Sequence, residues 1–448
     1  MAESLPLRWL YLDLNSYFAS VAQQLDPALR GRPVAIAPVD TDATSAIAAS
    51  YEAKAFGIRT GTPIWQARAM CRDLVVVPAR HEDYVRFHHA IIAEIERHVP
   101  VTAVCSIDEV ACRLCDNENG GAEVRVLARR IKAGIAANVG TELRSSIGVA
   151  PNRLLAKMAA DMEKPDGLTV LDDACREARL RALQPNDIPG VGRNMERRLA
   201  AAGVVTMDRI LSLTPRDARA VWGSVWGERL HWLLKGIDLP ELATQRRTIG
   251  HSQVLGPETR TPDRARLVAR RLCLKAATRL RRMECRTAFV VLSVKGEGRP
   301  GEVAITRGTA PAWSGRMATL PGGRWSHGAK LVAAHDSFTL LDVLDGLWTR
   351  MRAELPDARY RQVAVTFMEL TDAAETQLAL FDAKEGGGVA VTPATERRRL
   401  ALSTAIDRMN TRFGRDAVTV GHDARGATRS SGPKIAFTRI PEMAEFRE

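Results

Sequence analysis

The stretch Val104-Cys105-Ser106-Ile107-Asp108-Glu109-Val110 sets two adjacent carboxylates inside an apolar run of strand-forming residues. Neighbouring side chains of a strand point to opposite faces, so Asp108 and Glu109 cannot both be ordinary solvent-facing residues. At least one faces the covered side or the strand's end. A carboxylate held there is costly unless paired or bound to a cation, and a hard divalent metal with oxygen ligands answers that need. The plainer alternative is a strand-end turn with both acids in water. Further upstream, Leu7-Arg8-Trp9-Leu10-Tyr11-Leu12-Asp13-Leu14-Asn15-Ser16-Tyr17-Phe18 begins as an apolar strand, and Asp13 stands where polar turn residues begin. Asp13, Asp108 and Glu109 on the ends of adjacent strands would hold two Mg²⁺ ions, or Mn²⁺ in their place, with nucleotide phosphates as the remaining ligands. In-line nucleotidyl transfer needs that arrangement.

With 448 residues, the chain is too long for one core and predicts three or four domains. Its formal charge of +12 favours a polyanionic partner, nucleic acid first. The seven cysteines, an odd number without paired spacing, fit a reducing cytoplasm rather than a disulfide framework. Cys112 and Cys115 form a lone CxxC, read as buried thiols ending a strand rather than a zinc site. The sequence has neither a long apolar span nor a charged-then-apolar leader, which argues against membrane insertion or export.

Helical spacing from Phe18 to Leu25 precedes turns at Asp26-Pro27 and Gly31-Arg32-Pro33 and a short strand, Val34 to Ala37. Tyr51 and Lys54 are three apart, which puts a hydroxyl and an ammonium on one helix face; the pair suits a triphosphate or simply a solvated surface. Glu82–Pro100 and Ala122–Ala137 read as helices flanking the Asp108 strand, and Pro151–Asp161 reads as another that ends near Lys164-Pro165-Asp166-Gly167. From Arg246 to Arg286, twelve Lys or Arg stand against three acids, a balance of +9. Within it, Arg264–Arg282 predicts a helix and Thr287–Val294 a strand.

Four segments in register, Asp13-Leu14-Asn15-Ser16-Tyr17-Phe18-Ala19-Ser20, Ser50-Tyr51-Glu52-Ala53-Lys54-Ala55-Phe56-Gly57, Ser106-Ile107-Asp108-Glu109 and Ser146-Ile147-Gly148-Val149-Ala150-Pro151-Asn152, resemble consecutive motifs of Y-family translesion DNA polymerases, the DNA polymerase IV and UmuC group. The resemblance implies an α+β multidomain right hand. It has a palm (1–15 and 77–166), fingers (16–76), a helical thumb (167–237), a linker (238–246), an α/β little finger (247–372) and a C-terminal tail (373–448). It also implies roles. Asp13, Asp108 and Glu109 would hold the two metals, with the Leu14 carbonyl as a further ligand. Phe18 matches the steric gate that excludes ribose, with Tyr17 the lesser candidate. Tyr51, Lys54 and Lys164 would face the incoming deoxynucleoside triphosphate.

Asn186-Asp187-Ile188-Pro189-Gly190-Val191-Gly192-Arg193 carries a helix-hairpin-helix signature, in which Gly190 and Gly192 let backbone N–H groups meet a DNA phosphate. Trp222 to Gly227 and Leu230 to Leu234 would complete the thumb's apolar core. By resemblance the basic stretch belongs to the little finger, with Arg246, Arg247, Arg264, Arg270 and Arg271 on phosphates. Thr248 to Ser252 would be its first strand and Arg361 to Met368 its last. After that domain, Gln377-Leu378-Ala379-Leu380-Phe381 resembles the bacterial sliding-clamp motif, with Gln377, Leu378, Leu380 and Phe381 as anchors. Beyond the linker Gly386-Gly387-Gly388, Thr395 to Phe413 predicts a helix with Leu402, Ile406, Met409 and Phe413 on one face.

Two departures stand out. Asn15 replaces an acid common in the family, and Lys54 replaces an arginine, which keeps the charge without the bidentate fork. The expected protein is a monomeric, cytoplasmic, error-prone polymerase acting on primer-template DNA and clamp. The alternative is an inactive or weak relative that tethers damaged DNA to the clamp. A DNA-binding module alone leaves Asp13, Asp108 and Glu109 unexplained.

Overall fold

The computed structural model describes residues 5–115, 119–242, 247–297, 323–355, 359–373, 393–414, 417–421 and 440. The chain divides into two compact units, Met1–Leu242 with Ile435–Arg447, and Ala243–Lys434. Among the described residues no helix is long and apolar enough to cross a membrane.

In chain order the first unit carries β1 (Trp9–Leu14), α1 (Tyr17–Leu25), β2 (Val34–Ala37), β3 (Ala48–Ala49), α2 (Tyr51–Ala55), α3 (Ile64–Met70), β4 (Val75–Pro78), α4 (His81–Glu96), β5 (Ala103–Val104) and β6 (Glu109–Arg113). It continues with α5 (Gly121–Asn138), β7 (Ser145–Ala150), α6 (Arg153–Met162), β8 (Leu168–Val170), α7 (Arg176–Arg181), α8 (Arg193–Ala201), α9 (Met207–Ser212), α10 (Pro215–Trp222) and α11 (Val225–Leu234). The central sheet has the order β5-β6-β1-β7-β8. Alternation along β1 divides its side chains between two cores. Leu10, Leu12 and Leu14 join residues of α1, α4 and α5, whereas Trp9 and Tyr11 join α6 and the helices that follow it. Gly148 in β7 allows α6 to lie this close, because a Cβ there would come within 2.0 Å of the Ala156 carbonyl oxygen.

A smaller sheet, β3-β2-β4, divides its residues in the same way. Val34 and Ile36 of β2 enter the large core, while Ala35 and Ala37 meet a small alanine-rich one with Ile58, Ile64 and Leu74. The helices α7 to α11 form a compact cluster around Leu180, Leu199, Met207, Ile210, Trp222, Leu230 and Leu234. Trp226, expected in that core, is 41% exposed.

The decisive stretch is not one strand. Val104 pairs with Val110, and the N–H groups of Cys105 and Ser106 both donate to the Glu109 carbonyl, so 105–108 is the turn of a β5–β6 hairpin. Glu109 opens β6, and Asp108 sits in the turn beside it. Cys112 is buried in β6, where burial pushes its thiol up to about 12, and Cys115 is exposed beyond the strand. Only the first of the two therefore fits the buried-thiol reading.

The second unit has the order β9 (Thr248–Val254), α12 (Pro262–Arg282), β10 (Cys285–Gly296), β11 (Arg324–Ala334), α13 (Ser337–Glu354), β12 (Tyr360–Asp372) and α14 (Pro393–Phe413). Its sheet runs β11-β10-β12-β9. Ile249, Val290, Leu292, Val294, Trp325, Val365 and Phe367 share a core with α12 and α13. The opposite face includes exposed Thr248, Gly250, Ser252, Lys295, Arg324 and Lys330, with apolar Val254 and Phe289 beside them.

The tail helix α14 docks on this unit through a face other than the apolar stripe. Asp407 accepts from Arg281 at 2.7 Å and Thr278 at 2.9 Å, Glu396 pairs with Arg286 at 3.1 Å, and Arg399 with Asp342 at 2.9 Å. Ser403 Oγ accepts the Ser337 N–H at the start of α13. Leu402, Met409 and Phe413 are exposed, because on a helix they stand roughly one residue's rotation from the docked side chains.

Candidate active site

Antiparallel pairing sets Asp13 directly opposite Glu109, and cross-strand partners share a face. By alternation from Trp9 and Tyr11, that face is the one toward α6. The Leu14 N–H donates to the Asp108 carbonyl at 2.8 Å, which ties the hairpin turn to the end of β1. Ser106 Oγ donates to Asp108 Oδ1 at 2.5 Å and lies 3.4 Å from Glu109 Oε2. His88 of α4 braces the turn from behind: its Nδ1 donates to the Ile107 carbonyl at 2.8 Å, and burial keeps its pKa below the usual imidazole range.

The three carboxylates are turned to different partners. Asp13 Oδ2 is 2.7 Å from the Lys164 ammonium, which also reaches Asp161 at 2.7 Å. Glu109 Oε1 is 2.5 Å from the Lys157 ammonium of α6. Burial raises Asp13 to about 6 despite Lys164, with Asp161 and Asp108 adding to the rise. Burial also raises Asp108, against the Ser106 hydrogen bond and with help from Glu109. Like charges gathered in a half-buried pocket create a demand for cation. The donor set is all oxygen, as Mg²⁺ and Mn²⁺ prefer, so the residues present fit a divalent ion. Among the described residues, no three carboxylate, imidazole or thiol groups are already gathered as a ligand set. Lys164 pairs with Asp13 and Lys157 with Glu109.

Asn15 takes a structural part. It is buried; its Nδ2 donates to Ser146 Oγ at 3.0 Å, and its Oδ1 accepts the Asp166 N–H at 2.7 Å. The departure from an acid thus anchors the loop that carries Lys164.

Ser16 leads into α1 with φ 49° and ψ 40°, which turns the chain sharply after Asp13. Its hydroxyl accepts from Lys54 Nζ at 2.7 Å, and the same ammonium lies 4.2 Å from the centre of the Tyr51 ring. The expected Tyr51–Lys54 pair therefore forms and points back to β1. Burial, then Lys164, lowers the Lys54 pKa, so two ammoniums share one electropositive corner. Tyr17 is buried, its hydroxyl donating to the Tyr84 carbonyl at 2.6 Å. Phe18 is half-buried and stacks on Tyr84 with ring centres 4.2 Å apart. Of the two, Phe18 is the one left at the surface of the core.

Gly190 has φ +92°, Gly192 precedes α8, and a Cβ at either position would meet no atom within 4 Å. The backbone there is open to an approaching group. The basic stretch fares differently. Arg247 and Arg264 are exposed, but Arg270 pairs with Asp345 of α13, and Arg271 donates to Gln253. As α12 is packed against the sheet, two of its predicted phosphate ligands are engaged in holding the unit together. Arg246 and the segment with Gln377, Leu378, Leu380 and Phe381 lie outside the described residues.

Sequence reasoning missed Lys157, Ser106 and His88. A signal existed for Lys157, which stands seven residues before Lys164 and so on the same side of a continuing helix. His88 carried none, because its role is to hold a backbone carbonyl far along the chain.

Residues 12–161 match the impB/mucB/samB family, and residues 246–380 match its C-terminal domain. The chain is 33% identical over 413 residues to DNA polymerase IV of Moorella thermoacetica, covering 90% of this chain and 93% of that protein. It is 31% identical over 458 residues to DNA polymerase IV 2 of Mesorhizobium japonicum, covering 98% and 97%. Among solved structures, a Y-family DNA polymerase chimera built on Dbh superposes with TM-score 0.64 at 22% identity, over 81% of this chain and 99% of that one. That last likeness speaks for a right-hand fold. The chain belongs to the Y family of DNA-directed DNA polymerases.

Proposed function

We propose that the protein is an error-prone translesion polymerase that extends primers past damaged template bases by two-metal nucleotidyl transfer. One observation carries the reading: Asp13 and Glu109 are register partners on the α6 face, with Asp108 in the adjoining turn. Asp13, Asp108, Glu109 and the Leu14 carbonyl would hold the cations. When bound, such cations lower the pKa of a hydroxyl nucleophile and neutralise charge on a triphosphate.

The remaining work falls to the protein's own groups. Lys54 and Lys164 supply positive charge beside Asp13, where a triphosphate would sit. Lys164 can leave Asp13 and keep Asp161 as its partner. Phe18, held by the Tyr84 ring, supports the assignment of a steric gate against a ribose hydroxyl. In this reading small fingers make few checks of base-pair shape, hence low fidelity.

In this reading the palm is 1–15 with 77–166, the fingers 16–76, the thumb 167–237, the linker 238–246, the little finger 247–372 and the tail 373–448. Gly190 and Gly192 would meet a phosphate of primer-template DNA. In the little finger, the exposed sheet face with Lys295, Arg324 and Lys330 suits the polyanion better than α12 does. Gln377, Leu378, Leu380 and Phe381 would anchor a sliding clamp, and the working protein would be a cytoplasmic monomer.

The test is primer extension on undamaged and abasic templates with Mg²⁺, comparing wild type with Asp108→Ala/Glu109→Ala. Extension by the wild type and its loss in the double variant is the expected result. A wild type that binds primer-template yet adds no nucleotide, even with clamp, would overturn the enzyme reading in favour of a clamp-tethered accessory role.

A further inference from the structure

Two lysines serve the acid cluster, and they are mounted differently. Lys164 lies in the loop after α6 and bridges Asp13 and Asp161, so it has an acid to stay with when it swings away. Lys157 projects from within α6, which Gly148 seats tightly on β7. Its ammonium lies 2.5 Å from Glu109 Oε1 and 5.4 Å from the centre of the Tyr11 ring, whose hydroxyl is itself hydrogen-bonded to Glu109. Glu109 is thereby split between two sides. Oε1 faces Lys157, whereas Oε2 faces Ser106 at 3.4 Å, on the side of the turn that bears Asp108.

We infer that Lys157 is a positioning residue and a cation filter: it holds Oε1 of Glu109 away from the cation site and leaves Oε2 as the single oxygen offered. This rests on the polymerase reading of the site. Mg²⁺ keeps a strict octahedral shell and takes carboxylates one oxygen at a time, while Ca²⁺ readily accepts both oxygens of one carboxylate. A glutamate confined to one oxygen therefore favours the small ion. The fixed ammonium also lowers the cluster's attraction for bare cation, so tight occupancy waits for the charge of a triphosphate.

The test uses the full-length protein without nucleotide. Binding of Mn²⁺ is read from the paramagnetic resonance of the free ion, with Mg²⁺ and Ca²⁺ as competitors. Lys157→Met should bind Mn²⁺ about tenfold tighter than wild type, from the lost opposing charge. It should also move selectivity toward Ca²⁺, and Lys157→Arg should restore most of the Mg²⁺ preference. In primer extension, Lys157→Met should lower kcat with the nucleotide KM nearly unchanged. If the methionine variant does not fold, Lys157→Gln takes its place. A wild type that extends primers while Lys157→Met matches it in cation affinity and in Ca²⁺-to-Mg²⁺ preference would overturn the role of Lys157 alone. A wild type that neither binds Mn²⁺ nor extends primers would overturn the polymerase reading beneath it.

Discussion

The acid cluster of the first unit and the basic helix of the second are both dense in charge, yet they use it in opposite ways. At the end of β1, burial and mutual repulsion leave Asp13 raised to about 6, and one of the opposing lysines sits on a loop with a second partner in reach. In the proposed reading that charge is held ready for exchange. Along α12 and its neighbours, arginines are spent on fixed pairs: Arg270 with Asp345, Arg281 with Asp407, Arg286 with Glu396. Charge counted along a sequence is therefore not charge presented to a ligand. What separates the two is that the acids repel one another in a half-buried site, whereas each arginine meets an acid or carbonyl oxygen already in place.

The largest effect expected from breaking this contrast is at Asp13. Asp13→Asn should cut primer extension about a thousandfold, or ~4 kcal/mol of transition-state stabilisation. It should leave the metal-free melting temperature unchanged or higher, since a repelling acid is gone. A fall in both together would mean that Asp13 is structural.

Next comes Arg281, whose side chain is 10% exposed and which donates to Asp407, His335 and Ser337. Arg281→Ala leaves Asp407 half-buried without its cation and should cost about 3 kcal/mol of stability, seen as a lower urea midpoint. Primer-template affinity at temperatures where the variant is folded should hold. An unchanged midpoint would show α14 to be dispensable to the second unit.

His251 of β9 sharpens the comparison through pH. Burial, with Lys275 and Arg279 nearby, lowers its pKa to about 4. A depressed folded-state value contributes stability that is full above about 6.5 and lost as pH falls toward 4. Melting curves between pH 7.5 and 4.5 should show a loss on the order of 2 kcal/mol in wild type that His251→Gln lacks. Parallel pH profiles for the two proteins would remove His251 as the cause.

The smallest effects are on DNA affinity. Arg324→Ala and Lys330→Ala, on the exposed sheet face, should each weaken primer-template binding by about 1 kcal/mol and reduce its salt slope by about one. Arg270→Ala should instead lower stability and leave the salt slope alone, because its guanidinium already belongs to Asp345. A reversed pattern would return the DNA contact to α12.

Much of the architecture was legible from periodicity. The spans of α1, α4, α5, α12 and α14 lie within a few residues of those read from apolar spacing. A helix or strand is stabilised by neighbours close in sequence, so its pattern is written locally. The hairpin at 105–108 was not legible, because a β-favouring composition looks the same whether the chain runs on or folds back. Nor was the docked face of α14. Leu402, Met409 and Phe413 advertise an apolar stripe, yet Ser403, Asp407, Glu396 and Arg399 make the contacts, since complementary charge on Arg281, Arg286 and Asp342 lay far away in the chain.

By itself the sequence singled out Asp13, Asp108 and Glu109 as the candidate acids, because carboxylates beside apolar strand-forming residues ask for a partner and these three stand in motifs that resemble one family's. It also determined the order of the elements that bring them together. Only the tertiary structure decided which charges remain available. The β1–β6 register sets Asp13 against Glu109, the seat of α6 on Gly148 brings Lys157 to that glutamate, and the packing of α12 on α13 withdraws Arg270. Whether a charge is free depends on what lies within a few ångströms of it, and that proximity is set by packing between segments distant in the chain.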